Sequence, residues 1–255
     1  MVKKKINETT IQKRVEAFEN VLTLISDETI KEFCGKLIGE ADNYFFSTPA
    51  SSTGKYHPAY ALGEGGLMRH SKAVALILKS ILEMDLYGQD ERQKDLLICA
   101  AIVHDIKKYG TNHKYTVKNH PELASEYILK TGKKFKKLST EDIQYIADAV
   151  VTHMGKWGTT KPETEAQKLL HIADCLASRK FLNVEFPEES PIVTEDLLTE
   201  IKTIEPGDYV INFGKYKGQP LKEIDRSYLT FLVEKFAGQN HPAVGYARKY
   251  LKQLK

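Results

Sequence analysis

The stretch "CAAIVHDIKKYG", residues 99–110, sets the terms for the whole chain. Ala100, Ala101, Ile102 and Val103 belong inside a helical core, yet His104 and Asp105 follow at once, and then two lysines. Burying two ionisable side chains without partners costs several kcal/mol. The stretch therefore predicts a helix entering the core with something waiting there to satisfy the His-Asp pair.

Other polar residues share that predicament. In "GGLMRHSKAVALILKSIL", His70 lies on the apolar stripe with Val74, Ile77 and Ile81. His104 follows Leu97, Ala100 and Ala101 at helical spacing, and Asp105 follows Ile98, Ala101 and Ile102. Asp174 shares a face with Leu170, Ala173, Ala177 and Phe181, and His153 follows Ile146 and Val150. Each alone has an ordinary reading, such as a hydrogen-bonded core histidine or an aspartate capping a neighbouring helix. Together, on four separate helices, they favour a metal centre. Imidazole and carboxylate suit divalent cations, and a cation offsets the buried carboxylate charge.

The surrounding pattern is helical. Apolar residues recur three and four apart over 11–44, 68–86, 92–108, 120–131, 140–154 and 163–182. "FFSTPASSTGKYHPAYALGEGGL", residues 45–67, interrupts them and is long enough to be a functional loop. No alternating strand precedes residue 205, so residues 1–203 read as one helical domain and the fold class is mainly α. "EPGDYVINFGKYKGQPLKEID", residues 205–225, changes character: a short β-rich run meets turn signals. A helix follows with Asp225 or Ser227 as N-cap, then another over "PAVGYARKYLKQ". Residues 204–255 thus read as a small α+β module, with the boundary between 187 and 206.

Composition narrows the class. The chain has 255 residues, 42% hydrophobic and 28% charged, which suits a soluble globular protein. No apolar run approaches the roughly 18 to 20 residues of a membrane span, and "MVKKKINETT" has no apolar segment behind its lysines to make a secretory signal. Cys34, Cys99 and Cys175 have no paired spacing; Cys99 and Cys175 sit in apolar helical patterns and read as buried free thiols, and a reducing, cytoplasmic setting is expected. The net charge is +3, and residues 204–255 hold 9 Lys/Arg against 5 Asp/Glu. That excess fits either a polyanionic partner or a solvated lysine face.

The ordered set resembles the HD-domain metal-dependent phosphohydrolases. Their signature is an upstream histidine, a His-Asp doublet followed by a lysine, and a distant aspartate, matched here by His70, His104-Asp105 with Lys108, and Asp174. Members with two metals add two intervening histidines, matched by His120 and His153. The doublet is often followed by Ile-Gly-Lys, and here Lys107 replaces the glycine. The resemblance implies one or two divalent ions (Mn, Fe, Co, Ni or Zn, with Mg at a weaker second position). His70, His104, Asp105 and Asp174 would hold the first, and Asp105 would bridge to a second on His120 and His153. Asp105 and Lys108 are the expected catalytic pair.

Residues 45–182 are more narrowly similar to bacterial HD-type 3′-to-5′ exoribonucleases, without the N-terminal OB-type domain that those usually carry. "INFGKYKGQPLKEIDRSYLTFLVEKF" resembles the small C-terminal module of exodeoxyribonuclease X-like proteins. These resemblances imply a nuclease acting on single-stranded nucleic acid, most naturally a 3′-to-5′ exonuclease. His57, Lys156, Trp157, Lys215, Tyr216 and Lys217 are its expected substrate contacts. His113, His171 and His241 are assigned to surface or packing. Two alternatives stay open: a nucleotide or cyclic-nucleotide phosphohydrolase, and an inactive HD fold serving as a binding scaffold.

Overall fold

The computed structural model describes residues 6–51, 57–84, 88–110, 116–182, 184, 205–211, 213–236 and 242–254. Most of the expected boundary between 187 and 206, together with His113 and His241, lies outside them. The chain divides into two compact units, Met1–Thr199 and Glu200–Lys255.

In the first unit the helical spacing of residues 11–44 becomes four short helices: α1 (Glu8–Glu16), α2 (Glu19–Leu22), α3 (Glu28–Gly39) and α4 (Tyr44–Ser47). Asn7 and Asp27 cap α1 and α3 by accepting from first-turn amides. Longer helices follow: α5 (Gly66–Glu83), α6 (Glu91–Val103), α7 (His120–Gly132), α8 (Thr140–Thr152) and α9 (Glu165–Ala177). Asp90 and Thr164 open α6 and α9 with reciprocal capping boxes through Gln93 and Gln167. Helices α5, α6, α8 and α9 pack on one another, with α7 against α8 and α3 against α6. Val74, Leu78, Leu97, Ile102, Ile146, Val150 and Leu170 are fully buried between them. Each such side chain contributes about 1.5–3 kcal/mol.

Two helices stop five residues earlier than their spacing predicts. The α6 helix ends at Val103 rather than 108, and the chain continues in tight turns with Ile106 N–H bonded to Val103 O and Lys108 N–H to Asp105 O. The Ala101 carbonyl, which helix continuation would use, accepts instead from His104 Nδ1 at 2.7 Å. The α9 helix ends at Ala177, so Phe181, expected on the Asp174 face, lies past the helix and is 81% exposed. Cys34 and Cys99 are buried free thiols, while Cys175 is only half-buried.

The second unit contains α10 (Arg226–Lys235) and α11 (Pro242–Gln253). Its β content among the described residues is one antiparallel bridge, Val210 with Pro220, closing the 214–218 turn. Asp225 is the N-cap of α10 but makes no side-chain capping bond. Ile211, Leu221, Leu229, Leu232 and Ala247 form its own small core. No helix among the described residues is long and apolar enough to cross a membrane.

Candidate metal centre

Five segments of the first unit deliver polar side chains to one point. His70 comes from the first turns of α5, His104 and Asp105 from just past the end of α6, and His120 from the first residue of α7. His153 is the C-cap of α8, and Asp174 comes from the last turn of α9. His70, His104, Asp105, His120 and His153 are at most 2% exposed.

Helix ends explain why three imidazoles face inward with a defined tautomer. His104 Nδ1–H donates to Ala101 O at 2.7 Å, His120 Nδ1–H to Val117 O at 2.8 Å and His153 Nδ1–H to Val150 O at 2.7 Å. Each takes a carbonyl three residues upstream. With the proton held at Nδ1, each Nε2 presents a lone pair to the centre.

Those lone pairs converge on acceptors. His120 Nε2 lies 3.2 Å from His153 Nε2 and 3.1 Å from Asp105 Oδ1, and His153 Nε2 lies 3.6 Å from the same oxygen. On the other side, His104 Nε2 and His70 Nε2 lie 3.4 and 3.9 Å from Asp105 Oδ2. His70 differs: its Nε2–H donates to Asp174 Oδ1 at 3.0 Å while its Nδ1 is buried without a partner, and His104 Nε2 is 3.8 Å from that oxygen. His104 Nε2 and Asp105 Oδ1 are buried with no hydrogen-bond partner. Acceptor facing acceptor at these distances is repulsive unless a cation lies between them, so the donor set fits a divalent metal. His70, His104 and Asp105 form one compact ligand group; Asp105, His120 and His153 form another. Those two share Asp105, one oxygen on each side, and a third group, His104, His153 and Asp174, draws a histidine from each.

The electrostatics agree. Burial works against ionising Asp105, but Lys108 and the imidazoles of His104 and His120 outweigh it and hold the carboxyl well below its usual range. Asp174 is also held low: burial is opposed by His70, His104 and His153. Burial pushes His70 and His153 down toward the neutral form. It opposes charging of His104 too, but Asp105 and Asp174 prevail and raise that group. Two buried carboxylates thus draw positive charge into the centre, and His70 and His153 are held toward the neutral form that can ligate it.

The expected substrate contacts fall in different places. Lys108 Nζ is bonded to Asp105 Oδ2, so its ammonium serves the carboxylate directly. His57 stands at the edge of the centre, its ring 5.4 Å from that of His70 and its Nε2 3.3 Å from Ser178 Oγ. Burial, with charge on His70 and Lys108 adding to it, lowers His57 to about 4, and its Nδ1 is buried without a partner. Lys156 lies over the Trp157 ring at 4.8 Å, and Trp157 is 54% exposed. The Trp157 ring lies 6.4 Å from that of His171. Lys215, Tyr216 and Lys217 belong to the second unit.

Several supporting residues escape a reading by helical face. His171, assigned to packing from the sequence, donates Nδ1–H to His153 O at 2.6 Å and so braces a ligand-bearing helix end. A Cβ at Gly155 would lie 2.4 Å from the His171 ring, and its φ of +54° also favours glycine. Arg69, adjacent to His70 but turned away, clamps the 59–65 loop through the carbonyls of Tyr60, Leu62 and Glu64 at 2.6–2.9 Å. Tyr60 O–H donates to Ala177 O at 2.8 Å and ties that loop to the end of α9. The one local signal was "GEGG": Gly66 packs so tightly that a Cβ would meet Ala61 O at 2.3 Å.

Residues 67–179 match the family model of the HD domain, whose members are metal-dependent phosphohydrolases. All six convergent residues fall inside that match, while His57, most of the 45–67 loop and the whole second unit fall outside it. No curated protein and no solved structure matches the chain.

Proposed function

We propose that the centre binds two divalent cations and hydrolyses phosphodiester bonds in single-stranded nucleic acid, removing nucleotides from the 3′ end. The observation that carries the two-ion reading is the position of Asp105, with Oδ2 toward His70 and His104 and Oδ1 toward His120 and His153. Asp174 Oδ1 stands beside His70 and His104 on the first side and also groups with His104 and His153. When bound, such ions polarise a phosphoryl oxygen and make water a nucleophile near neutral pH.

The chain's own side chains supply the rest. Lys108 balances Asp105 and adds positive charge where phosphate charge develops. His57 is held neutral and keeps a buried, unsatisfied Nδ1 for a group arriving with the substrate. Lys156 and Trp157 supply a cation and an exposed aromatic face, suited to a phosphate and a base of the strand. These features favour a polymer over a free nucleotide.

A time course on 5′-labelled RNA and DNA oligonucleotides with Mn²⁺, beside a panel of nucleoside triphosphates and cyclic nucleotides, tests the reading. A ladder shortening from the 3′ end, absent in Asp105→Ala, is the expected result. Turnover of the small nucleotides alone would overturn the polymer assignment.

A further inference from the structure

We infer that the second unit carries a separate binding face for single-stranded nucleic acid, built from the 215–217 turn and one side of α10. It deepens the function proposed above, and rests on that reading only for the role of the bound strand as substrate.

Three rings run in series across this unit. Tyr216 meets Tyr228 edge-on at 4.6 Å between centroids, and Tyr228 meets Phe231 at 6.1 Å. Tyr228 and Phe231 stand three residues apart on α10, hence on one face. A lysine flanks each end of the series: Lys215 lies over Tyr216 at 5.1 Å, and Lys235 lies over Phe231 at 5.1 Å. Phe231 is 48% exposed, although Leu229 and Leu232 beside it are buried in the unit's core. The core therefore has no need of the Phe231 ring. Gly214 makes the arrangement possible: its φ is +70°, and a Cβ there would sit 2.8 Å from the Tyr228 hydroxyl.

Charge selects the occupant. Lys215, Lys217 and Lys235 are exposed, and among the described residues none has a carboxylate within ion-pair distance. By contrast, Lys222 of the same unit is paired with Asp208 at 2.7 Å. Unpaired lysines bordering one exposed ring, Phe231, and two half-buried ones, Tyr216 and Tyr228, fit a ligand that is both anionic and planar at regular intervals. A single strand offers phosphates to the lysines and unstacked bases to the rings, each stacked base worth about 1–3 kcal/mol. A duplex keeps its bases stacked on one another and offers the rings nothing.

The test is fluorescence anisotropy of labelled single-stranded and duplex oligonucleotides titrated with the full chain in EDTA, so that binding is read without hydrolysis. We expect the single strand to bind more tightly than the duplex. Its log–log salt slope should be about −0.7 for each phosphate engaged by a lysine. Phe231→Ala should weaken single-strand binding on the order of tenfold, with Phe231→Tyr restoring it and an unchanged melting temperature showing the fold intact. Lys235→Ala should make the salt slope shallower. Equal affinity of wild type, Phe231→Ala and the triple variant Lys215→Ala, Lys217→Ala, Lys235→Ala would overturn the inference. So would a Phe231-dependent dimer in sedimentation with no oligonucleotide bound, which would assign the face to a second copy of the chain. Binding without any hydrolysis on restoring Mn²⁺ would sink the nuclease reading while leaving this face standing.

Discussion

The first unit buries charge in two different ways. Arg14 is fully buried, yet its guanidinium donates to Gly39 O at 3.0 Å, Ala41 O at 2.8 Å and Asn43 Oδ1 at 2.5 Å. Asp95 sits on the buried face of α6 and accepts from the amides of Ser26 and Asp27 at 2.7–3.1 Å. Asp105 follows ten residues later in the chain, and among the described residues no backbone amide serves it. Its neighbours are a lysine and imidazoles whose lone pairs point the same way as its own. Arg14 and Asp95 are completed by the fold and hold its turns in place. The His-Asp centre is completed only by something that the fold does not supply. A buried charge marks a functional site when the protein leaves its valences open.

The largest expected effect separates the two directly. Asp105→Asn should lower phosphodiester hydrolysis by at least about a thousandfold, because several kcal/mol of transition-state stabilisation go with the bridging carboxylate. Its melting temperature in EDTA should move far less than that of the structural variants. Arg14→Leu leaves two buried carbonyls without donors and should cost about 3 kcal/mol, a fall of roughly 6–12 °C in thermal melts. Asp95→Ala, which releases the Ser26 and Asp27 amides, should cost about 2 kcal/mol. If Asp105→Asn melted as low as Arg14→Leu in EDTA, the centre would be a structural charge cluster like the other two.

Acid titration probes the edge of the centre. His57 is lowered to about 4 in the fold, against about 6.5 in an unfolded chain. Below pH 6.5 the unfolded state takes up a proton that the folded state refuses, so this group's contribution is complete above 6.5 and is lost as pH falls toward 4. The loss should not exceed about 3.5 kcal/mol, at up to about 1.4 kcal/mol per pH unit. Asp105 and Asp174 are lowered carboxyls and lose their contribution only at still lower pH. Melts of EDTA-treated protein across pH 4–7 should therefore show a shallower slope for His57→Gln than for wild type. An identical slope would mean that His57 already carries its proton in the fold.

The smallest effect on stability, with a clear effect on function, belongs to Trp157→Ala. An exposed ring contributes within about 0.5 kcal/mol to folding, but loss of a stacking face should raise KM for oligonucleotides about tenfold. An unchanged KM would remove Trp157 from the substrate path.

Much of the centre was legible because an inward polar residue breaks an apolar period. His70, His104, Asp105, His153 and Asp174 all betray themselves in that way. His120 does not: it opens α7 rather than lying along a stripe, and only the resemblance singled it out. His171, Arg69 and Tyr60 were not legible as parts of the site, since each acts through backbone carbonyls of another segment. Periodicity also overran the ends of α6 and α9. At α6 the terminator is a side chain, His104 Nδ1, competing for the helix's own carbonyl. The β-rich "YVINF" run yields a single bridge among the described residues, with Ile211 buried in the small core and Tyr209 and Phe213 packed against it.

Metal stoichiometry tests the open-valence reading most directly. Equilibrium dialysis against Mn²⁺, with bound metal measured by elemental analysis, should give two ions per chain for wild type, one for His153→Ala and at most one, weakly held, for Asp105→Ala. Arg14→Leu, where it folds, should still hold two. Wild-type protein that retains no stoichiometric metal, or His153→Ala and Asp105→Ala variants that retain as much as wild type, would contradict it.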